Sequence, residues 1–375
     1  MRNIVLILGF LFASQFAFTQ DKEVVFNQEY IQKNNDKTTI EINELQELVY
    51  IILSLTDTGN NPAIINQTTP YYQDIIQHFK PFSTHEIVKN FNKDLKTSIV
   101  NFILLPANAY GFQFDQNRIV PTNVYVFPAK GIGKYEININ PIVAYIPKLE
   151  DFATKSGFRK FYKEHQTYYD SLKTMYKNFA RIDEQKKWLE HKFDYKINSY
   201  RVLTSPLLNS INATHTFEDN QFKETLLFLP TIKENKDWTE QYNEANNTRI
   251  IFTEIDHNYV GPVSEKNKEK INIAFQNRSV WVDEKNKGTE HYPNPIKLFD
   301  EYLTWGLYIL YANDHFEPKT VQQMMDSVND VMVNKRGFIK FKEYNEFLVQ
   351  LYKNNRDKKI EYFYPELLDW VAKQK

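Results

Sequence analysis

Thr253-Glu254-Ile255-Asp256-His257 reads as H-E-x-x-H with its first histidine replaced by threonine. On a helix, that motif sets two histidines at i and i+4 on one face as zinc ligands. The glutamate between them holds and deprotonates the metal-bound water. Here the glutamate and the second histidine remain, and Thr253 removes one ligand. A further acid, Glu301, follows 44 residues after His257 (301 − 257) in Phe299-Asp300-Glu301-Tyr302-Leu303-Thr304-Trp305. That stretch is apolar nearly all round, which predicts a buried helix and a carboxylate in need of a partner.

If the site takes Zn2+, His257 and Glu301 are ligands and Glu254 is the general base. A catalytic zinc has three protein ligands and one water, so His215, His291 or Asp300 has to supply the third. The neutral hydroxyl of Thr253 is too weak a donor. Alternatively Glu254 ligates as well, and Glu254, His257 and Glu301 form a carboxylate-rich site suited to Mn2+ or Fe2+. Tyr259, Tyr311 and His315 are candidates for contact with a substrate or a developing oxyanion. Against all of this stands the shortness of E-x-x-H, since a buried Glu–His pair is as readily a salt bridge. His165 reads as a core histidine, and Pro81 breaks any helix shared by His78 and His85. Arg336, ahead of Gly337, could bind a carboxylate but reads better as one half of a surface or interhelix ion pair.

The elements that must position these groups follow from periodicity. Apolar spacing predicts helices over 42–55, 71–78, 85–91, 158–179 and 182–193. Runs rich in β-branched and aromatic residues predict strands over 98–105, 123–127, 141–146, 199–204 and 222–229. Residues 207–220 read as a surface loop. The motif helix is expected over 247–260, stopped by Gly261-Pro262. Asn294-Pro295 marks the start of the next helix, with Asn as N-cap and Pro at the first helical position. The expected fold class is α+β: a mixed part over 39–245, then a mainly helical part over 246–375 that carries the motif.

At the N-terminus, Met1-Arg2-Asn3 precedes an apolar run over 4–18, with Ala17-Phe18-Thr19 before Gln20. This is the pattern of a secretory signal peptide over 1–19, and it predicts a secreted or periplasmic protein. No cysteine follows to carry a lipid, so a lipoprotein is not expected, and no later segment predicts a membrane span. Residues 20–38 are polar and read as a mobile leader.

With no cysteine anywhere, thiolate metal sites, a cysteine nucleophile and thiol redox chemistry are excluded. A formal charge of −1 gives no reason to expect a nucleic-acid partner. The ten glycines include Gly131-Ile132-Gly133-Lys134, which lacks P-loop or Rossmann spacing, and no G-x-S-x-G elbow is present.

One resemblance adds to this reading. Thr253-Glu254-Ile255-Asp256-His257-Asn258-Tyr259-Val260, Tyr292-Pro293-Asn294-Pro295, Phe299-Asp300-Glu301-Tyr302 and Arg336-Gly337-Phe338-Ile339 look like a family of secreted bacterial proteins known as a domain of unknown function. Leu45-Gln46-Glu47-Leu48, Tyr71, His78-Phe79 and His85 are similar to it more weakly. The resemblance covers most of the mature chain. It implies a zincin-like fold and a metal-dependent hydrolase but no substrate; the motif itself adds the expectation of a metallopeptidase-like enzyme acting on a peptide or protein. Its catalytically silent counterpart would be a binding protein of the cell envelope.

Overall fold

All seven residues of Ser199–Ser205 are buried, as befits a central strand covered on both faces. The computed structural model describes residues 22–374 except 133, 134 and 211. The expected signal peptide lies outside the described residues. The chain begins with α1 (Gln28–Asn34), β1 (Thr38–Glu41) and α2 (Glu44–Ser54). Three helices follow: α3 (Pro70–Phe79), α4 (Glu86–Thr97) and α5 (Asn101–Ala109). Next come β2 (Phe112–Asp115), β3 (Arg118–Pro121), β4 (Gly131–Ile132) and β5 (Tyr135–Glu136). A run of helices, α6 (Ile146–Ser156), α7 (Phe158–Glu164), α8 (Gln166–Phe179) and α9 (Ile182–Lys192), leads to β6 (Ser199–Ser205), β7 (Ala213–Asp219) and β8 (Phe222–Pro230). The rest is helical: α10 (Glu240–Ile255), α11 (His257–Lys266), α12 (Lys268–Ala274), α13 (Pro295–His315), α14 (Pro318–Asn329), α15 (Phe341–Asn354) and α16 (Tyr364–Ala372). Among the described residues, no helix is long and apolar enough to cross a membrane.

The main sheet has the order β1-β6-β8-β7, with β1, β6 and β8 parallel and β7 antiparallel at one edge. A two-residue turn joins β7 to β8. Asn220 and Gln221 both have positive φ, 51° and 61°, the pattern of a type I′ hairpin, whose twist matches that of its strands. On one sheet face, Tyr200, Val202, Leu227 and Leu229 join the core that holds α10, α13 and α16. Leu203, Phe217, Leu226 and Phe228 on the other face pack with Phe26 and Tyr125. A third apolar cluster surrounds α2.

The mixed α+β character matches expectation, but several elements differ. Residues 101–109 are helical, not extended, because Phe102, Leu105 and Ala109 bury in the cluster around α2 and tertiary packing overrides β-propensity. The expected strand over 141–146 is a 3₁₀ turn running into α6, with Asn140 capping Ile142 N–H. Of 123–127, only an isolated bridge from Tyr125 to Val24 pairs. The expected loop over 207–220 contains β7, and the expected 158–179 helix divides at His165. The described part of the expected leader contains α1, whose Asn34 is buried.

Glu47 in α2 is 1% exposed. It accepts a 2.7 Å hydrogen bond from the Tyr71 hydroxyl, which lies 2.7 Å from that of Tyr169. Burial pushes its pKa from 4.5 up to about 7, and the Tyr71 and Ser205 hydroxyls only partly oppose this. Between those values the folded chain holds a proton that the unfolded chain has lost, so stability falls as pH rises through the window. Glu47→Gln is expected to flatten this dependence by on the order of 2–3 kcal/mol between pH 4.5 and 8. Urea denaturation at several pH values measures it, and parallel curves for the two proteins would contradict it.

Candidate functional site

The motif does not lie on one helix. α10 ends at Ile255, and α11 starts at His257. The Asn258 side-chain amide donates to the Ile255 carbonyl at 3.1 Å. The Tyr259 N–H, which would take that carbonyl in a continuous helix, bonds to Asp256 O at 2.9 Å instead. Gly261-Pro262 then lies inside α11, where Pro262 forfeits one ladder bond. The expected stop therefore comes several residues early, and the break falls between Glu254 and His257.

α13 begins as expected, with the Asn294 side chain accepting from Lys297 N–H and Pro295 in the first turn. Its Glu301 is only 6% exposed and faces His257, with 3.9 Å between Glu301 Oε2 and His257 Nε2. The other carboxylate oxygen is occupied. Glu301 Oε1 is ion-paired with Arg336 Nη1 at 2.6 Å and accepts from Trp305 Nε1 at 2.8 Å. Trp305 lies one turn along the same helix, the spacing at which side chains meet.

A π-helical turn, Asp330–Lys335, delivers Arg336, and Gly337 follows with φ 78°. A Cβ at Gly337 would come within 2.9 Å of Asn286 Cβ, so both conformation and space require glycine there. The guanidinium lies 4.9 Å from the Trp305 ring centroid and 5.4 Å from that of Tyr292, whose hydroxyl accepts from Nη2. Arg249 on α10 lies 5.2 Å from the Trp305 centroid. Among the described residues it has no carboxylate partner. It gives this side of the site a cationic flank.

Glu254 accepts from Asn212 Nδ2 at 3.4 Å. Burial pushes its pKa up to about 7; the Asn212 bond opposes this, Glu301 adds to it, and Arg336 again opposes it. Crowding by protein atoms lowers the His257 pKa, against the pull of Glu301 and with the help of Arg336. Asp256 is fully buried, and neither of its oxygens has a hydrogen-bond partner. Burial, then Glu301 and Glu254, hold it well above the ordinary carboxylate range. Asp300 is pushed up to about 6, chiefly by burial. The site is thus a set of crowded acids around one guanidinium.

The site brings together Glu254, His257 and Glu301 but not the other candidates. His215 sits on β7 and is half-exposed, 3.8 Å from Glu23. Its neighbour Thr216 bonds to Asn258 of α11, so by strand alternation His215 faces away. His291 is exposed at the end of a 3₁₀ turn. Tyr259 is buried in the core, where it accepts from the Tyr200 hydroxyl at 3.1 Å. Tyr311 and His315 stack on each other at 4.0 Å, and lie roughly 15–21 Å along α13 from Glu301. The Thr253 hydroxyl turns back on its own helix, donating to the Arg249 carbonyl at 3.1 Å. Among the described residues, no three His, Asp or Glu side chains converge closely enough to hold an ion. Neither the three-ligand zinc set nor the carboxylate-rich Mn2+ or Fe2+ set is assembled.

Sequence reasoning missed Trp305, Tyr292, Asn212 and Asn258. Trp305 had a signal, standing four residues from a glutamate on a predicted buried helix. Asn212 had none, because it lies in the segment read as a loop. No family model, curated protein or solved structure matches this chain. The resemblance read from the sequence therefore gains no relative from these comparisons.

Proposed function

We propose that this chain is a zincin-like scaffold that binds an extended polypeptide beside β7 and the α10–α11 junction, and that it does not hydrolyse it through zinc. The observation that carries this reading is Arg336, whose guanidinium neutralises Glu301 where a metal ion would have to. Thr253, committed to its own helix, supports it too. The sheet favours a polypeptide ligand. β7 is an edge strand, paired on one side only among the described residues, and a free edge offers unpaired backbone groups to an extended chain. Asn212 directly precedes β7 and bonds to Glu254, and Asn258 bonds to Thr216 within the strand.

The residues fit zinc only in part. His257 Nε2 and Glu301 Oε2 are 3.9 Å apart, close to what two ligands about 2 Å from one ion require, but the third donor is missing. A second reading, a metallopeptidase-like hydrolase, draws on that approach and on the raised pKa of Glu254, which suits a general base. Metal analysis separates the two. After zinc loading and dialysis, wild type and His257→Ala are expected to carry the same, substoichiometric zinc. One zinc per wild-type chain, lost in His257→Ala, would favour the hydrolase.

A further inference from the structure

On the opposite face of the sheet, Arg201 of β6 lies in a buried polar cluster. It bonds to Glu41 through Nη1, to Tyr30 and Asn34 through Nη2 at 3.1 and 2.8 Å, and to Glu224 through Nε at 3.4 Å. Glu224 is fully buried and also accepts from Ser199 at 2.6 Å, Tyr30 at 2.5 Å and Tyr125. Above this floor opens a cavity of about 470 Å³ between α1, β1 and the β2–β3 hairpin, within the usual size range of small-molecule sites. Thr39 pairs with Arg201 and Glu41 with Leu203 across the β1–β6 ladder, so both side chains share the Arg201 face. The Thr39 hydroxyl is buried with no hydrogen-bond partner. Glu41 is one-third exposed and keeps lone pairs beyond those given to Arg201 and Tyr110. Gln113 stands exposed at the rim.

The charges select the ligand class. Four of the five N–H donors of Arg201 are already used, and two carboxylates flank it, so an anion finds no unspent positive charge on the floor. With Lys33 counted at the rim, two cations face the two carboxylates Glu41 and Glu224, so the cavity has no net charge to draw in either an anion or a cation. What the cavity offers is neutral complementarity: the Glu41 carboxylate, held in place by Arg201, to accept, and the amides of Gln113 and Asn43 to donate. We propose that this cavity binds a neutral polyhydroxylated ligand, a mono- or disaccharide unit, through Glu41 and Gln113. Vicinal hydroxyls can donate to Glu41 while accepting from the Gln113 amide.

Isothermal titration calorimetry of the full chain with glucose, galactose, mannose, N-acetylglucosamine, cellobiose and maltose tests this. At least one is expected to bind with a Kd of about 1 mM or tighter. Gln113→Ala, at an exposed position that leaves the fold alone, and Glu41→Gln should each weaken that sugar roughly tenfold, a loss of about 1.4 kcal/mol. His257→Ala, at the other site, should bind it as wild type does. Cellohexaose or maltohexaose, set against the corresponding disaccharide, separates a free sugar from a polysaccharide chain as its source. The proposal is overturned if none of the neutral sugars binds or if both cavity variants bind like wild type. It is also overturned if glucuronate or glucosamine binds more tightly than the neutral sugars.

Discussion

Arg336→Ala is expected to destabilise the fold by about 3–5 kcal/mol at pH 8, the range for removing one partner of a buried ion pair. Glu301 is 6% exposed, and without the guanidinium only Trp305 Nε1 would remain on its inner oxygen. The other oxygen faces His257, whose pKa is lowered, so no cation is at hand to compensate. The stranded carboxyl would instead take up a proton. Its folded pKa would then exceed its unfolded value, so the penalty is present at high pH and shrinks as pH falls toward 4. Arg336→Lys keeps the charge but loses the planar stack on Trp305 and the fork that reaches Tyr292, and should fall between. Denaturation midpoints at pH 5 and 8 measure all three proteins. A loss under about 1 kcal/mol, equal at both pH values, would show that Glu301 needs no built-in cation.

The same change bears on metal binding. If Arg336 keeps zinc out of the site, Thr253→His alone should restore little zinc, because Glu301 stays engaged. Thr253→His with Arg336→Ala should bring the content toward one zinc per chain. One zinc per chain in Thr253→His alone would make Thr253 the only obstacle to zinc, and would revive the hydrolase reading for this site.

The pair at the heart of this site was legible because burial and charge conflict within the sequence itself. Glu301 in an apolar helix had to find a partner, whereas Arg336 before a glycine turn read only as one half of a surface or interhelix ion pair. What stayed hidden was their meeting, because 35 residues separate them (336 − 301) and no local pattern reports a long-range pair. The break at Asp256 was equally hidden. It depends on the Asn258 side chain competing for a backbone carbonyl, whereas Gly261-Pro262, the louder signal, is absorbed within α11. β7 was missed because its turn is Asn220-Gln221. The positive φ values fall on residues less telling than Asn-Gly, and the strand's exposed alternation resembles a polar loop. Arg201 went unremarked because one charge within a β-branched run looks like a surface position, whereas β6 is buried on both faces.

That buried charge leads to the second large effect. Glu224→Ala is expected to cost about 4 kcal/mol or more, because it strands the hydroxyls of Tyr30, Tyr125 and Ser199 as well as one arm of Arg201. Glu224→Gln keeps the shape and one acceptor, but turns an amide NH2 toward groups that are themselves donors, so it should recover only part of the loss. Where the loss appears is as informative as its size. α1 is tied to the sheet by Tyr30 and Asn34 through this network, with the Tyr30 ring stacked on Phe26 and edge-on to Phe222. If those polar ties dominate, α1 opens locally in Glu224→Ala, and amide exchange over 28–34 accelerates by orders of magnitude while α13 stays protected. Should both segments accelerate together, the cluster belongs to the global core. α1 would then be as firmly held as the sheet beneath it, and the cavity it walls would be rigid before any ligand enters.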